Sequence, residues 1–304
     1  MRIGDRVWGH PSVLALIQED GRRADPVAII RERARTLIAH ARELGWDGPP
    51  FDPRTLASCL GIKVHSDQLK PGHDAFIFPV KDRQLQIIFN AERPVTRQNF
   101  SIFHEIIHTL FPDGYEMVRH RYERRERFDP DKEVEFLCDV GAAELLLPAD
   151  AFRIDLRSMG FSLDAVRPLR ERYAASREAI IRRMIQLDSG TSAAVFLEHR
   201  LKPSEMAADR QLRLVEPAAR PQAKLRIAYA VVSEGFPFFL PPHKSVPQDS
   251  CAYRALVGAA VEKGRETWAI PKLPLCEVEA MAMPVGDSAD ASLKAVAILR
   301  PLAT

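Results

Sequence analysis

The pentapeptide His104-Glu105-Ile106-Ile107-His108 constrains this chain more than any other feature. Residues four apart lie on the same face of an α-helix, so a helix here points two imidazoles at one place. Glu105 sits about 100° round that helix, close enough to reach a water molecule held beside a metal ion. The surroundings predict a helix, with Thr96 as N-cap, Pro112 as stop, and Phe100, Phe103 and Ile107 as an apolar stripe. Zinc in catalytic sites takes three protein ligands and leaves a fourth position to water. The bland alternative, two histidines on a half-buried helix, predicts no third ligand.

A third ligand has an obvious place. The segment Lys132 to Leu147 is strongly helical and is stopped by Pro148. Glu135 and Asp139 fall on one face of it, and a loop and return helix can bring Glu135 back to the histidines. Asp139 then suits the task of holding a ligand imidazole by its N–H. Asp131, Glu133, His120 and Glu144 are the other candidates. Glu144 lies about 180° round the helix from Glu135, so both cannot face the same metal.

Two stretches together carry a family resemblance. They are Asn99-Phe-Ser-Ile-Phe-His-Glu-Ile-Ile-His-Thr-Leu-Phe111 and Glu135-Phe-Leu-Cys-Asp-Val-Gly-Ala-Ala-Glu-Leu-Leu-Leu-Pro148. The chain resembles the ImmA/IrrE metallopeptidases over Pro26 to Arg200. The second stretch departs from the family pattern, with Cys138-Asp139 for Ala-Asn, Gly141 for Phe and Leu147 for Met. The resemblance implies Zn2+ bound by His104, His108 and Glu135, with Glu105 as general base and Asp139 behind a ligand. It also implies a protein substrate, a helix-turn-helix repressor whose cleavage derepresses a stress response or a mobile element. Tyr115, His120 and Tyr122 are candidates for stabilising the oxyanion, and the sequence does not choose among them.

At 304 residues the chain is expected to hold more than one domain. A net charge of +2 gives no broad electrostatic case for nucleic acid or membrane. Cys59, Cys138, Cys251 and Cys276 form no C-x-x-C pair and read as reduced thiols of a cytoplasmic protein. The apolar run Val13 to Ile17 is too short for a secretory or membrane segment. No P-loop, G-x-G-x-x-G or G-x-S-x-G is present, which argues against nucleotide or serine-hydrolase chemistry.

The expected fold class is α+β, with a zincin-like core over residues 1–150. In that core Asp25-Pro26 and Asp52-Pro53 open helices. Ile62 to His65, Asp74 to Pro79 and Gln84 to Asn90 read as strands. By analogy Gln84 to Asn90 is the edge strand that pairs with an extended substrate. The interleaved charges of Arg119 to Arg127 read as a solvated loop. Residues 151–201 are expected to form a helix-turn-helix-like helical segment, with Ser162 and Ser176 as caps. Arg177, Arg182 and Arg183 decorate its second helix. DNA binding through that helix is conceivable but not favoured, because the segment has no strong basic excess. Residues 202–224 read as a linker.

Residues 225–304 read as a smaller α/β domain, with strands Leu225 to Val232, Glu277 to Pro284 and Lys294 to Pro301. Ser250 to Lys263 reads as a helix between them. This domain resembles the GAF-like C-terminal domain of IrrE-type members, a place for ligand sensing or for packing. Three functional readings follow. The chain is a zinc endopeptidase, a DNA-binding transcriptional regulator, or a ligand sensor, the last two with a structural or degenerate zinc site. A complete His, Glu, His and Glu set favours the first, since neither a regulator nor a sensor needs a general base. The oligomeric state is not legible.

Overall fold

The structure is a computed structural model that describes residues 2–3, 6–21, 24–70, 72–123, 132–206, 221–258, 260–283 and 293–302. The chain divides into two compact units, Met1–Asp155 with Pro168–Ala179, and Leu156–Arg167 with Ile180–Thr304.

The first unit begins with a short antiparallel ladder of β1 (Arg2–Ile3) and β2 (Arg6–Val7). Helices α1 (Pro11–Asp20), α2 (Pro26–Glu43) and α3 (Pro53–Cys59) follow, each with proline in its first turn. The Asp25 side chain accepts from Val27 N–H and that of Asp52 from Thr55 N–H, as the capping pattern predicts. Then come β3 (Lys63–Asp67), β4 (Ala75–Pro79) and β5 (Leu85–Asn90). They form one sheet in the order β3-β5-β4, with β3 parallel and β4 antiparallel to β5.

This order corrects the expectation for the edge. The segment Gln84 to Asn90 becomes the central strand β5, and β4 is the edge beside the histidine helix. Asn90 N–H donates to Asp74 O, and Val80 N–H to Gln84 O. Antiparallel alternation therefore turns the peptide groups of Ala75, Ile77 and Pro79 to the outer edge of the sheet.

Helix α4 (Val95–Ile107) carries the first histidine and α6 (Lys132–Leu146) carries Glu135, with α5 (Gly114–Glu123) between them. Thr96 is not the cap of α4. Pro94 stands there, without a side-chain hydrogen bond, after a turn in which Arg93 N–H donates to Asn90 O. Nor does α4 run to Pro112; it tightens into a 3-10 turn at His108–Leu110. Ile102, Phe103, Ile106 and Ile107 are fully buried. Each contributes about 1.5–3 kcal/mol of burial. Phe103, Trp46, Phe51, Tyr173 and Phe152 form a continuous aromatic contact chain behind α4. On other faces α4 packs against the sheet at β4 and β5, and against α6.

Helices α7 (Ala149–Met159), α8 (Val166–Tyr173) and α9 (Arg177–Leu187) follow, with Ser162 and Ser176 capping as predicted. Within the second unit, strands β6 (Ala193–Arg200), β7 (Lys224–Val232), β8 (Glu262–Glu266), β9 (Cys276–Met283) and β10 (Lys294–Pro301) form an antiparallel sheet in the order β7-β6-β10-β9-β8. Helix α10 (Cys251–Val257) packs on β8, β9 and β10.

Three elements differ from the expectation. Residues 119–123, read as part of a solvated loop, lie within α5. Ala193–Arg200, read with the helical segment, is a strand whose first five residues are buried. The helix foreseen from Ser250 to Lys263 stops at Gly258, and Glu262–Glu266 continues as a strand. Of the expected linker, residues 207–220 lie outside the described residues. Among the described residues no helix is long and apolar enough to cross a membrane.

Candidate metal centre

The two histidines project from the end of α4 towards the first half of α6. Their rings lie 5.2 Å apart, tilted 69° to one another. His108 is completely buried and His104 nearly so. Glu135 faces both. Its Oε2 is 3.0 Å from His104 Nε2 and its Oε1 is 3.8 Å from His108 Nε2. Behind His104, Asp139 Oδ1 stands 2.9 Å from Nδ1. Behind His108, Cys138 Sγ stands 3.4 Å from Nδ1. Glu135, Cys138 and Asp139 thus share one face of α6 at helical spacing, which is why one helix reaches both rings.

The electrostatics of His104 follow from these neighbours. Burial works against its charge. The hydrogen bonds of Asp139 and Glu135, with the fields of Glu105 and Glu135, outweigh burial and push the imidazole up to about 10.

Glu105 is buried, and its Oε2 accepts the N–H of Ile77 at 3.0 Å. The outer edge of β4 and the histidine helix are therefore stitched together at this carboxylate. A cleft of about 690 Å³ opens over the site. Glu105, His104, Glu135 and Asp139 line it together with Phe76 and Phe100. A second cleft, of about 620 Å³, lies between α2 and the turn at Thr109–Pro112 and contains none of these residues. The chemistry, not the size, marks the functional one.

The remaining candidates are placed elsewhere. Glu133 accepts the backbone N–H groups of Gly9 and His10, and so anchors the N-terminal segment to α6. Glu144 is buried on the far side of α6, where it accepts from Arg35. Tyr115 does not line the cleft; its ring lies 5.0 Å from the Arg83 guanidinium. The side chains of His120 and Tyr122, and Asp131 altogether, lie outside the described residues. His73 lines the cleft and has no signal in the motif, because only the pairing of β4 with β5 brings its loop there.

Two trios can be drawn around the histidines. Donor atoms of His104, His108 and Cys138 lie within 4.8 Å of one another, a set able to hold a metal. Glu135 makes the other trio. The two nitrogens of an imidazole point away from each other. Cys138 at Nδ1 therefore cannot share an ion with the Nε2 face of His108, the face that Glu135 occupies.

A model of IrrE N-terminal-like domains, peptidase family M78, matches residues 57–184. Residues 57–184 belong to the ImmA/IrrE family. The match to the IrrE-like domain is narrower than the stretch from Pro26 to Arg200, and it spans both halves of the metal site. Over 64 residues the chain is 34% identical to the radiation response metalloprotease IrrE of Deinococcus deserti. That alignment covers 21% of this chain and 23% of the relative. A solved transcriptional regulator of Mycobacterium tuberculosis matches with a TM-score of 0.53 at 11% identity, over 95% of this chain and 80% of that one. At that identity the likeness is one of fold alone.

Proposed function

We propose that the chain is a zinc-dependent metalloendopeptidase. The observation that carries this reading is the convergence of Glu135 on the Nε2 atoms of both histidines, with Glu105 in the same cleft. The donor set of two neutral imidazoles and one carboxylate fits zinc. His104, His108 and Glu135 are the ligands, and Asp139 orients His104 through Nδ1–H. When bound, zinc would supply Lewis acidity and lower the pKa of a coordinated water towards neutrality.

Glu105 takes the proton of the attacking water and returns it to the leaving amine. Its hydrogen bond from Ile77 N–H fixes the carboxylate beside the outer edge of β4. An extended peptide adds to that edge through Ala75 and the carbonyl of Ile77, and so brings its scissile carbonyl to Glu105. Phe76 and Phe100 offer apolar contact in the same cleft.

The substrate, following the family resemblance, is a helix-turn-helix repressor whose cleavage derepresses a stress-response or mobile-element regulon. The name of the Deinococcus deserti relative agrees with a stress response. All four cysteines carry free thiols, in keeping with a cytoplasmic protein. The second unit is read as a GAF-like sensory domain on its antiparallel sheet and packed helix. The DNA-binding reading is weaker. Arg183 is buried and Arg182 lies 5.7 Å from the Tyr229 ring within the second unit, so two of the three arginines on α9 are engaged in the fold.

The deciding experiment is Glu105→Gln, assayed for metal content and for cleavage of candidate repressors by mass spectrometry. We expect full metal content and a fall in cleavage of about 10²–10⁴-fold. Cleavage at the native rate in this variant sinks the mechanism.

A further inference from the structure

The proposed zinc site leaves one of its closest contacts without a role. Cys138 is completely buried, and so is His108. Their Sγ–Nδ1 distance is 3.4 Å, within hydrogen-bond range for sulfur. The family pattern described from the sequence has alanine at this position.

We propose that Cys138 is the positioning residue of His108, its thiol sulfur accepting the Nδ1–H and so fixing the tautomer that turns Nε2 to the metal. The inference rests on the metal-site reading above, and the geometry argues it in three steps. First, both Nε2 atoms face Glu135, so a metal seated on this face leaves both Nδ1 atoms as N–H donors pointing backwards. Second, a buried N–H without an acceptor destabilises the fold. For His104 the acceptor is Asp139. For His108, enclosed by protein on all sides, the sulfur of Cys138 stands at the required place. Third, Cys138 and Asp139 follow Glu135 by about one helical turn, so a single helix supplies the carboxylate in front and both acceptors behind.

The two supports are unequal. Asp139 is an exposed carboxylate, and Cys138 is a buried neutral thiol that accepts weakly. His104 is therefore the more firmly oriented ring, and His108 depends on packing and a soft hydrogen bond. The competing role, Cys138 as a direct ligand with the two histidines, places an ion on the Nδ1 side of His108, away from the Nε2 atom that Glu135 faces.

The test uses the full chain loaded with Co2+, comparing native protein, Cys138→Ala and Cys138→Ser. The readouts are cobalt affinity by competition, the absorption spectrum, and imidazole ¹⁵N resonances. We expect the native cobalt protein to show ligand-field bands without a thiolate-to-cobalt charge-transfer band. Cys138→Ala is expected to lose about 10–100-fold in affinity. Cys138→Ser, which keeps an acceptor, should recover most of that loss. The His108 Nδ1–H resonance should persist in the native and serine proteins and shift in the alanine variant. A charge-transfer band that vanishes in Cys138→Ser would overturn the proposal and make Cys138 a ligand. Equal affinity in native protein and Cys138→Ala, with circular dichroism showing both folded, overturns it as well. Failure of the native chain to bind any cobalt overturns the metal reading itself, and is distinguishable from both.

Discussion

Gly141 shows how a single residue sets the geometry of the site. A Cβ built there meets Ile107 at 2.6 Å (Cδ1), 2.8 Å (Cγ1) and 2.9 Å (Cγ2). Ile107 immediately precedes His108, and Gly141 lies about 1.7 turns after Glu135 on α6. The separation of histidines and carboxylate is thus set by how closely α4 and α6 approach, and that approach needs a residue without a side chain. Gly141→Ala gains helix propensity of up to about 1 kcal/mol, but overpacking costs about 1–3 kcal/mol. We expect net destabilisation in urea melts and weaker metal binding. Ile107→Ala alone should cost about 2–5 kcal/mol, yet combined with Gly141→Ala it should cost less than the two singles added. Strict additivity in that double-mutant cycle would mean the contact is not what separates the helices. The motif residues of the site are legible in the sequence because helical spacing alone fixes which of them share a face. Gly141 is not, because its reason is a residue on another helix.

At the level of elements, capped starts other than that of α4 were legible and non-local pairings were not. Asp25, Asp52, Ser162 and Ser250 all cap where a polar residue precedes an apolar period, since capping is a local event. The strand Ala193–Arg200 escaped because its run Ala-Ala-Val-Phe-Leu is buried throughout and shows no alternation. The edge role of β4 also escaped, since sheet order is decided by pairing between segments distant in sequence.

Ser162 illustrates both sides. Its capping of the 3-10 turn at Leu163–Ala165 is readable, while its second bond, 2.7 Å to Glu279 on β9, is not. Glu279 also accepts from Leu163 N–H and from Arg300. Burial alone would raise its pKa, but these bonds prevail and hold the carboxyl below the usual carboxylate range. A depressed folded pKa contributes stability above the unfolded value of about 4.3, and that stability disappears as pH falls through the folded value. Glu279→Gln should therefore cost about 1.5–3 kcal/mol near pH 7 and progressively less below pH 4. Thermal melts of both proteins at stepped pH measure this. A gap that stays constant into acid would assign the cost to packing instead of charge.

At the scale of the whole molecule, the helical segment once read as one module belongs partly to each compact unit, since the division falls within α7, α8 and α9. Hydrophobic periodicity reports that a helix is amphipathic but not which core its apolar face joins. The proposed metal site lies wholly in the first unit, and every residue assigned to it comes from α4, α6 and the turn that follows α4. A cation there must stabilise the native state by mass action, because the unfolded chain does not hold His104, His108 and Glu135 together. At a free zinc concentration of about 100 times the dissociation constant the gain is about 2.7 kcal/mol. At about 2–4 °C per kcal/mol for a unit of this size, the melting midpoint should rise by roughly 5–10 °C. Trp8 and Trp46 are buried in the first unit and report its unfolding by fluorescence. Chelation should reverse the rise. Glu135→Ala should abolish it while leaving the metal-free midpoint close to that of the native chain, because Glu135 is only partly buried. A zinc-dependent rise that survives in Glu135→Ala would remove Glu135 from the ligand set and leave His104 and His108 to find their third partner elsewhere.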